Sequence, residues 1–353
     1  MAGWTDNRRP PAPHGVAGAA REERGIVPRG QGGDERRSAL SLPAGLFFCA
    51  LGGAVASSTL SFVGPALVAY GYLLVAPEGG RRARLGCLAA TLVPAVALGL
   101  ATGVSTAASA VVASLVALAV CEMTASRRLT SGALCATVGL AAAALLASDE
   151  LVALASGFTL SDGVRALLDA YRQQLAGMLV GAADQVDLVF AAVGLLWPVA
   201  YVLAALASCV STLVGTAVAA SRAGSPVERP LRLAEFDVPL WVVALLVASV
   251  AGIALAVSVD GTVSQVALAV SANVAMAVRF ALTAQGLAVL AWLVRGKGLG
   301  TVASTLVGVV ALYLEVQFVV LTVVGLVDVW ANFRRLPRGA RSAAADAGTT
   351  TKD

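Results

Sequence analysis

Arg279 is the residue in this sequence whose chemistry most needs an explanation. It lies near the centre of an apolar stretch, Val266 to Val294, bounded by Ser-Val-Asp-Gly-Thr-Val-Ser before it and Arg-Gly-Lys-Gly after it. A helix rises about 1.5 Å per residue, so a stretch of this length crosses a hydrocarbon core of about 30 Å. An ionised guanidinium at the midplane costs from about 3 to well over 10 kcal/mol, so it must face protein or a wet cavity. Gln265, Ala269, Ala272, Ala275, Arg279, Thr283 and Gly286 recur at spacings of three and four. They form one small and polar stripe toward other helices, with Val266, Val270 and Val274 opposite. Two roles fit. Arg279 could be the counter-charge for a small anionic solute, with Asn273, Thr283 and Gln285 as neighbouring polar groups, or a hydrogen-bonding plug between helices.

A second set lies at the end of the last apolar run, in Asp328-Val-Trp-Ala-Asn-Phe-Arg334. Asp328 and Arg334 are six apart and do not share a helical face, whereas Asp328 can meet Ala331 or Asn332. Asp328, Trp330, Asn332 and Arg334 read either as a docking motif for a partner protein or as an interfacial anchor. In the anchor, Trp330 and Phe333 sit at headgroup depth and the arginines on anionic lipid. Of the remaining acids near apolar segments, Glu315 reads as a solvated turn residue, able to pair with Arg279 only if the final hairpin dips well into the membrane, and Glu122 as an interfacial residue beside Arg127.

No other pattern points to catalysis. The sequence has no GxSxG elbow, no HExxH helix and no paired intramembrane carboxylates, so an enzyme is not expected. Gly296-Lys-Gly-Leu-Gly-Thr lacks the spacing of a phosphate loop. His14 is the single histidine, and Cys49, Cys87, Cys121, Cys135 and Cys209 include no CxxC pair. Buried free thiols are expected, with no metal site and no cofactor.

The elements that hold these residues follow from composition. Hydrophobic residues make up 58% of the chain and charged residues 13%, with the charges confined to short intervals between long apolar runs. Such a chain belongs in a lipid bilayer, and without period-two alternation its spans are helices. The net charge of +4 reflects arginines where a cytoplasmic membrane surface attracts them, so nucleic acid is not expected as a partner. The expectation is an all-α, polytopic transmembrane bundle of about 8–10 crossings in a bacterial inner membrane, with both termini cytoplasmic.

In chain order, residues 1–40 read as a disordered, basic cytoplasmic tail and 41–335 as the transmembrane domain. Leu42 to Ala76 should be a hairpin broken at Ser57-Ser58-Thr59, and Leu85 to Val120 another, turning near Gly103 to Thr106. Ala50-xxx-Ala54 and Gly99-xxx-Gly103 are small-xxx-small pairs that permit close helix contact. Ser131 to Ala147 crosses outward into a segment rich in Asp149, Glu150, Asp162, Asp169, Asp184 and Asp187. Within it, residues 159–183 read as an outer amphipathic helix whose apolar face includes Val164, Leu168, Tyr171 and Met178, capped by Ser161 and Asp162. Asp187 to Ala220 returns inward with a kink at Pro198. Pro239 and Trp241 open the next crossing, Asp260-Gly261 turns into the Arg279 helix, and Leu299 to Trp330 forms a final hairpin with Glu315 at its turn. Residues 336–353 read as a second disordered cytoplasmic tail.

Gly325 to Arg334, Gly-Leu-Val-Asp-Val-Trp-Ala-Asn-Phe-Arg, resembles the terminal signature of the YybS-like family of bacterial multi-pass membrane proteins of unknown function. Phe236-Asp-Val-Pro-Leu-Trp241 and the helix with Asn273, Arg279 and Gly286 are similar to the same family. That resemblance implies a fold similar to the substrate-capture subunits of energy-coupling-factor transporters. Those subunits bind a small solute within the bundle and meet transmembrane and ATP-hydrolysing transporter subunits through small residues of an early helix, here Ala50 and Ala54. The chain departs from them in having more crossings and no aromatic, histidine-rich pocket. The leading expectation is a solute-binding membrane subunit. The alternative is a membrane scaffold or sensor acting through cytoplasmic tails and loops, with no transported substrate.

Overall fold

The computed structural model describes residues 42–176, 183–223, 233–259 and 261–336. Both terminal tails, Met178, the Glu228 to Arg232 part of the interhelical loop and Asp260 lie outside the described residues. The described residues are helical, with no strand. Seven helices are long and apolar enough to cross a membrane, and three shorter apolar ones accompany them. The chain is a polytopic helical bundle.

Helix α1 (Leu42–Ala56) ends at the expected serines. Ser57 and Ser58 donate to the Ala54 and Val55 carbonyls at 2.7 Å each, satisfying acceptors that the helix terminus leaves free. Helix α2 (Gly64–Thr102) is interrupted at Gly80, where φ is 65°, a conformation open to glycine at little steric cost. The contacts of α1 show that the chain reverses there. Gly45 meets Val75 and Gly52 meets Val68, an antiparallel pairing, whereas Leu46 meets Gly86 and Gly53 meets Thr91, a parallel one. The two halves of α2 are therefore separate apolar segments on either side of α1. Gly103, with φ 152°, then separates α2 from α3 (Val104–Ala125), and Gly99 abuts Ala107 across that turn.

Helix α4 (Ser131–Ala155) is capped by Thr130, whose hydroxyl accepts from the Ala133 N–H at 3.1 Å. It runs eight residues past the expected end of this crossing, so Asp149 and Glu150 belong to the helix and not to a loop. Amphipathic α5 (Leu160–Ala176) follows. Its cap is Thr159, which accepts from the Asp162 N–H at 3.2 Å and donates to the Asp162 carboxylate at 2.6 Å; the expected caps, Ser161 and Asp162, lie two and three residues further on. Helices α6 (Ala183–Leu196) and α7 (Val199–Ala223) meet at Trp197-Pro198, a full break where a kink was expected.

Helix α8 (Leu240–Ser258) starts after Pro239, and α9 (Thr262–Gly296) carries Arg279 midway. Helix α10 (Thr301–Phe318) has a single buried residue, Glu315. Val319 adopts the left-handed conformation (φ 58°), and α11 (Val320–Ala331) begins there. The expected turn at Glu315 is corrected: the break comes four residues later and Glu315 faces α9. Thr322 meets Thr283, Gly325 meets Leu282 and Asp328 meets Gln285, so α11 runs parallel to α9.

Glycines make that approach possible. A Cβ on Gly286 would collide with the Leu321 carbonyl and one on Gly325 with the Leu282 carbonyl, both of them backbone atoms that cannot swing away. Gly286→Ala and Gly325→Ala should each destabilise the protein by about 1–3 kcal/mol. Gly139→Ala, with open space around the new methyl, should hold or raise stability by about 0.4–1 kcal/mol. Thermal unfolding in mild detergent separates these outcomes.

Candidate functional site

Among the described residues, several polar assemblies interrupt the apolar packing. The first surrounds Arg279. Its Nε donates to Glu315 Oε1 at 3.3 Å, and its Nη2 to the same oxygen and to the Glu315 carbonyl, both at 3.2 Å. Thr283 and Thr322 donate their hydroxyls to Oε1 at 3.2 and 2.6 Å, and the Thr322 N–H donates to Oε2 at 2.9 Å. The Val319 break creates this arrangement, because it leaves the Thr322 N–H at the start of α11 free to meet a carboxylate. Glu315 is thus a buried partner of Arg279 and not the solvated turn residue expected. The guanidinium already has an internal anion.

The expected companions of Arg279 separate. Thr283 joins it, whereas Asn273 donates through Nδ2 to the Leu195 and Ala269 carbonyls at 2.9 and 2.7 Å, and its Oδ1 is buried with no partner among the described residues. Gln285 lies on another face of α9 and is fully buried.

Gln285 is the hub of the second assembly. Its Oε1 accepts from the Val238 N–H at 2.9 Å, and its Nε2 donates to Asp237 at 3.1 Å and to Asp328 at 2.8 Å. Asn332, left-handed at φ 44°, ends α11 and turns the chain back. That turn brings Arg334 onto Asp328 at 2.8 Å, with both side chains at 0% exposure, although they cannot share a helical face. Arg334 also donates to the Ala234 and Phe236 carbonyls at 2.9 and 2.7 Å, and the Phe333 N–H donates to Asp328 at 2.9 Å. Ser131 accepts from the Asp237 N–H at 2.9 Å, which adds the start of α4 to the assembly. Of the expected docking residues, Asp328 and Arg334 are buried, Asn332 caps a turn and Trp330 is 67% exposed. Ala50 and Ala54 on α1 are half-buried, while the α1 face of closest contact is Gly45, Cys49, Gly52, Gly53 and Ala56. Glu122 is likewise tied down, accepting from Tyr72 at 2.5 Å and Arg84 at 2.8 Å.

The third assembly lies beside a partly open cavity of about 280 Å³ between α3, α4, α7 and the turn after α1. Alanines and valines form most of its wall, with hydroxyls from Ser61, Ser109, Ser208 and Tyr201. Its volume is near the lower end of small-molecule sites, about 300–1,000 Å³. One helical turn beyond the wall residues Ser109 and Leu145, Ser105 and Tyr201 donate to the two oxygens of Asp149 at 2.5 and 2.8 Å, joining α3, α4 and α7. Asp149, Ser105 and Tyr201 were not among the expected site residues. An acid one turn inside the end of an apolar helix was the available signal, but the surrounding acidic sequence assigned Asp149 to a loop.

Truncating Arg334 leaves Asp328 buried without its cation, so Arg334→Ala should cost about 3–5 kcal/mol, whereas exposed Trp330→Ala should stay within about 0.5 kcal/mol. Denaturation of each variant in the same detergent measures the difference.

A family model described as "Predicted membrane protein (DUF2232)" matches residues 46–329. No curated protein and no solved structure matches the chain.

Proposed function

From the premise that the chain belongs to the DUF2232 family of membrane proteins, we propose that it is a solute-binding membrane subunit whose ligand occupies the cavity between α3, α4 and α7. The cavity carries this reading: it is concave, walled by small apolar side chains and provided with a few hydroxyls, the usual composition of a small-molecule site. Arg279 serves better as a structural plug than as an anion receptor, since a solute there would have to displace Glu315 from five hydrogen bonds. We read the protein as a binding protein and not an enzyme.

The resemblance to YybS-like proteins and to capture subunits of energy-coupling-factor transporters supplies the partner expectation, namely transmembrane and ATP-hydrolysing subunits. The scaffold reading is weakened because Asp328 and Arg334 are occupied within the bundle. A bacterial inner-membrane location with cytoplasmic termini is supported by the charges. Arg81, Arg82 and Arg84 follow the reversal at Gly80, and Arg127, Arg128, Arg222 and Arg295 stand at or just past the ends of α3, α7 and α9, the pattern expected of cytoplasmic loops, whereas only Arg165 and Arg172 accompany the acids of α5.

Ala113→Leu and Ala204→Leu place bulk in the cavity wall. Protein purified in mild detergent should carry a bound small molecule by native mass spectrometry, and both variants should lose it while unfolding at the wild-type temperature. An unchanged small-molecule complement in the variants would overturn the assignment. Reporter fusions after Asp162 should be active only on the outer side, and cytoplasmic activity there would reverse the orientation.

A further inference from the structure

Resting on the cavity as the solute site, we infer that its ligand is a small apolar molecule with a cationic amine head, received by Asp149. The chemistry at the two ends of the cavity differs. The wall is alanine, valine and leucine with isolated hydroxyls, which suits a hydrocarbon body. At the end where α3 and α7 begin and α4 finishes, the charged groups are two carboxylates, Asp149 held by three helices and Glu150 accepting from the Leu160 N–H at 3.1 Å.

Asp149 is built to receive a cation. Its two oxygens accept one hydroxyl each, from Ser105 at 2.5 Å and Tyr201 at 2.8 Å. A carboxylate offers about four lone-pair sites, so roughly half its accepting capacity is still free. Hydroxyl donors fix the direction of the carboxylate without neutralising it. Among the described residues no Lys or Arg lies within ion-pair distance of Asp149, and the two arginines of this end are engaged elsewhere, Arg172 with Asp187 at 2.7 Å and Arg165 beside Asp162 at 4.0 Å. This contrasts with Glu315 and Asp328, each already paired with an arginine.

The connection to the cavity runs through Tyr201. Tyr201 lines the cavity while its hydroxyl holds Asp149, which stands just beyond the wall, so the carboxylate is one side chain away from the space a ligand would occupy. The surrounding field has the same sense. Asp149, Glu150, Asp162, Asp169, Asp184 and Asp187 gather on this side against Arg165 and Arg172, which concentrates cations and repels anions. A charge-assisted hydrogen bond to Asp149 would then separate an amine from its neutral isostere.

Benzylamine, benzyl alcohol and benzoate share a ring and differ in the charge of the head, so calorimetric titration of the detergent-solubilised protein with each tests the inference. Benzylamine should bind the wild type about tenfold or more tighter than benzyl alcohol, and benzoate should bind weakest. Asp149→Asn should abolish the amine preference, lowering benzylamine affinity far more than benzyl alcohol affinity, and Asp149→Glu should restore part of it. Equal binding of amine and alcohol, or a preference that survives Asp149→Asn, would overturn the assignment of an amine while leaving the cavity as the solute site. If all three probes bind Ala113→Leu as they bind the wild type, or none binds the wild type, the solute site fails and the amine assignment with it.

Discussion

Lipid cannot solvate a charge, and this protein carries one in the middle of its longest uninterrupted helix. A guanidinium at the level of Arg279 has to be neutralised by the protein, and Glu315 does so from another helix. Neither charge tolerates burial alone. The C-terminal part of the bundle is built around meeting that requirement. Helix α10 ends within a turn of Glu315, Val319 takes a left-handed conformation, and α11 starts with a free N–H aimed at the carboxylate. Gly286 and Gly325 then let α9 and α11 approach closely enough for Thr283 and Thr322 to complete the site.

The same principle governs the assemblies around Asp328 and Asp149 with different outcomes. Asp328 and Arg334 form a closed unit in which backbone carbonyls and a second carboxylate take the remaining donors of Arg334 while the Gln285 amide donates to Asp328. Asp149 is held by the hydroxyls of Ser105 and Tyr201, the second of which lines the neighbouring cavity. Charge pairing therefore distinguishes Glu315 and Asp328, each bound to an arginine, from Asp149, which is held by hydroxyls. Small residues do the remaining work: glycines and alanines bring α1 against both halves of α2 and α7 against α2 at Ala66, and alanines leave the cavity unfilled.

Much of the architecture was legible in the sequence because lipid makes hydropathy a strong signal. The breaks at Ser57-Ser58, Gly103 and Pro198, the amphipathic α5 and the Pro239 start of α8 all follow from local chemistry. The readings that needed correction depended on contacts between distant segments. Glu315 looked like a turn residue because a lone acid in an apolar run most simply marks a loop; its partner is 36 residues away. Asp328 and Arg334 looked unrelated because helical periodicity was extended past Asn332, where the helix has already ended.

By itself, the sequence determined that this chain is a bundle of membrane helices, approximately where each begins and ends, and that Arg279 must be sheltered. Those properties arise from transfer energies and backbone preferences that act within one segment. Only the tertiary structure decided which acid shelters Arg279, that Gln285 belongs to a different assembly from Arg279 and Thr283, and that Ser105, Asp149 and Tyr201 converge beside a cavity. The physical reason is that pairing and enclosed space are properties of helix packing. The rotation and separation of neighbouring helices are set by glycine contacts and shared hydrogen bonds that no single stretch of sequence contains.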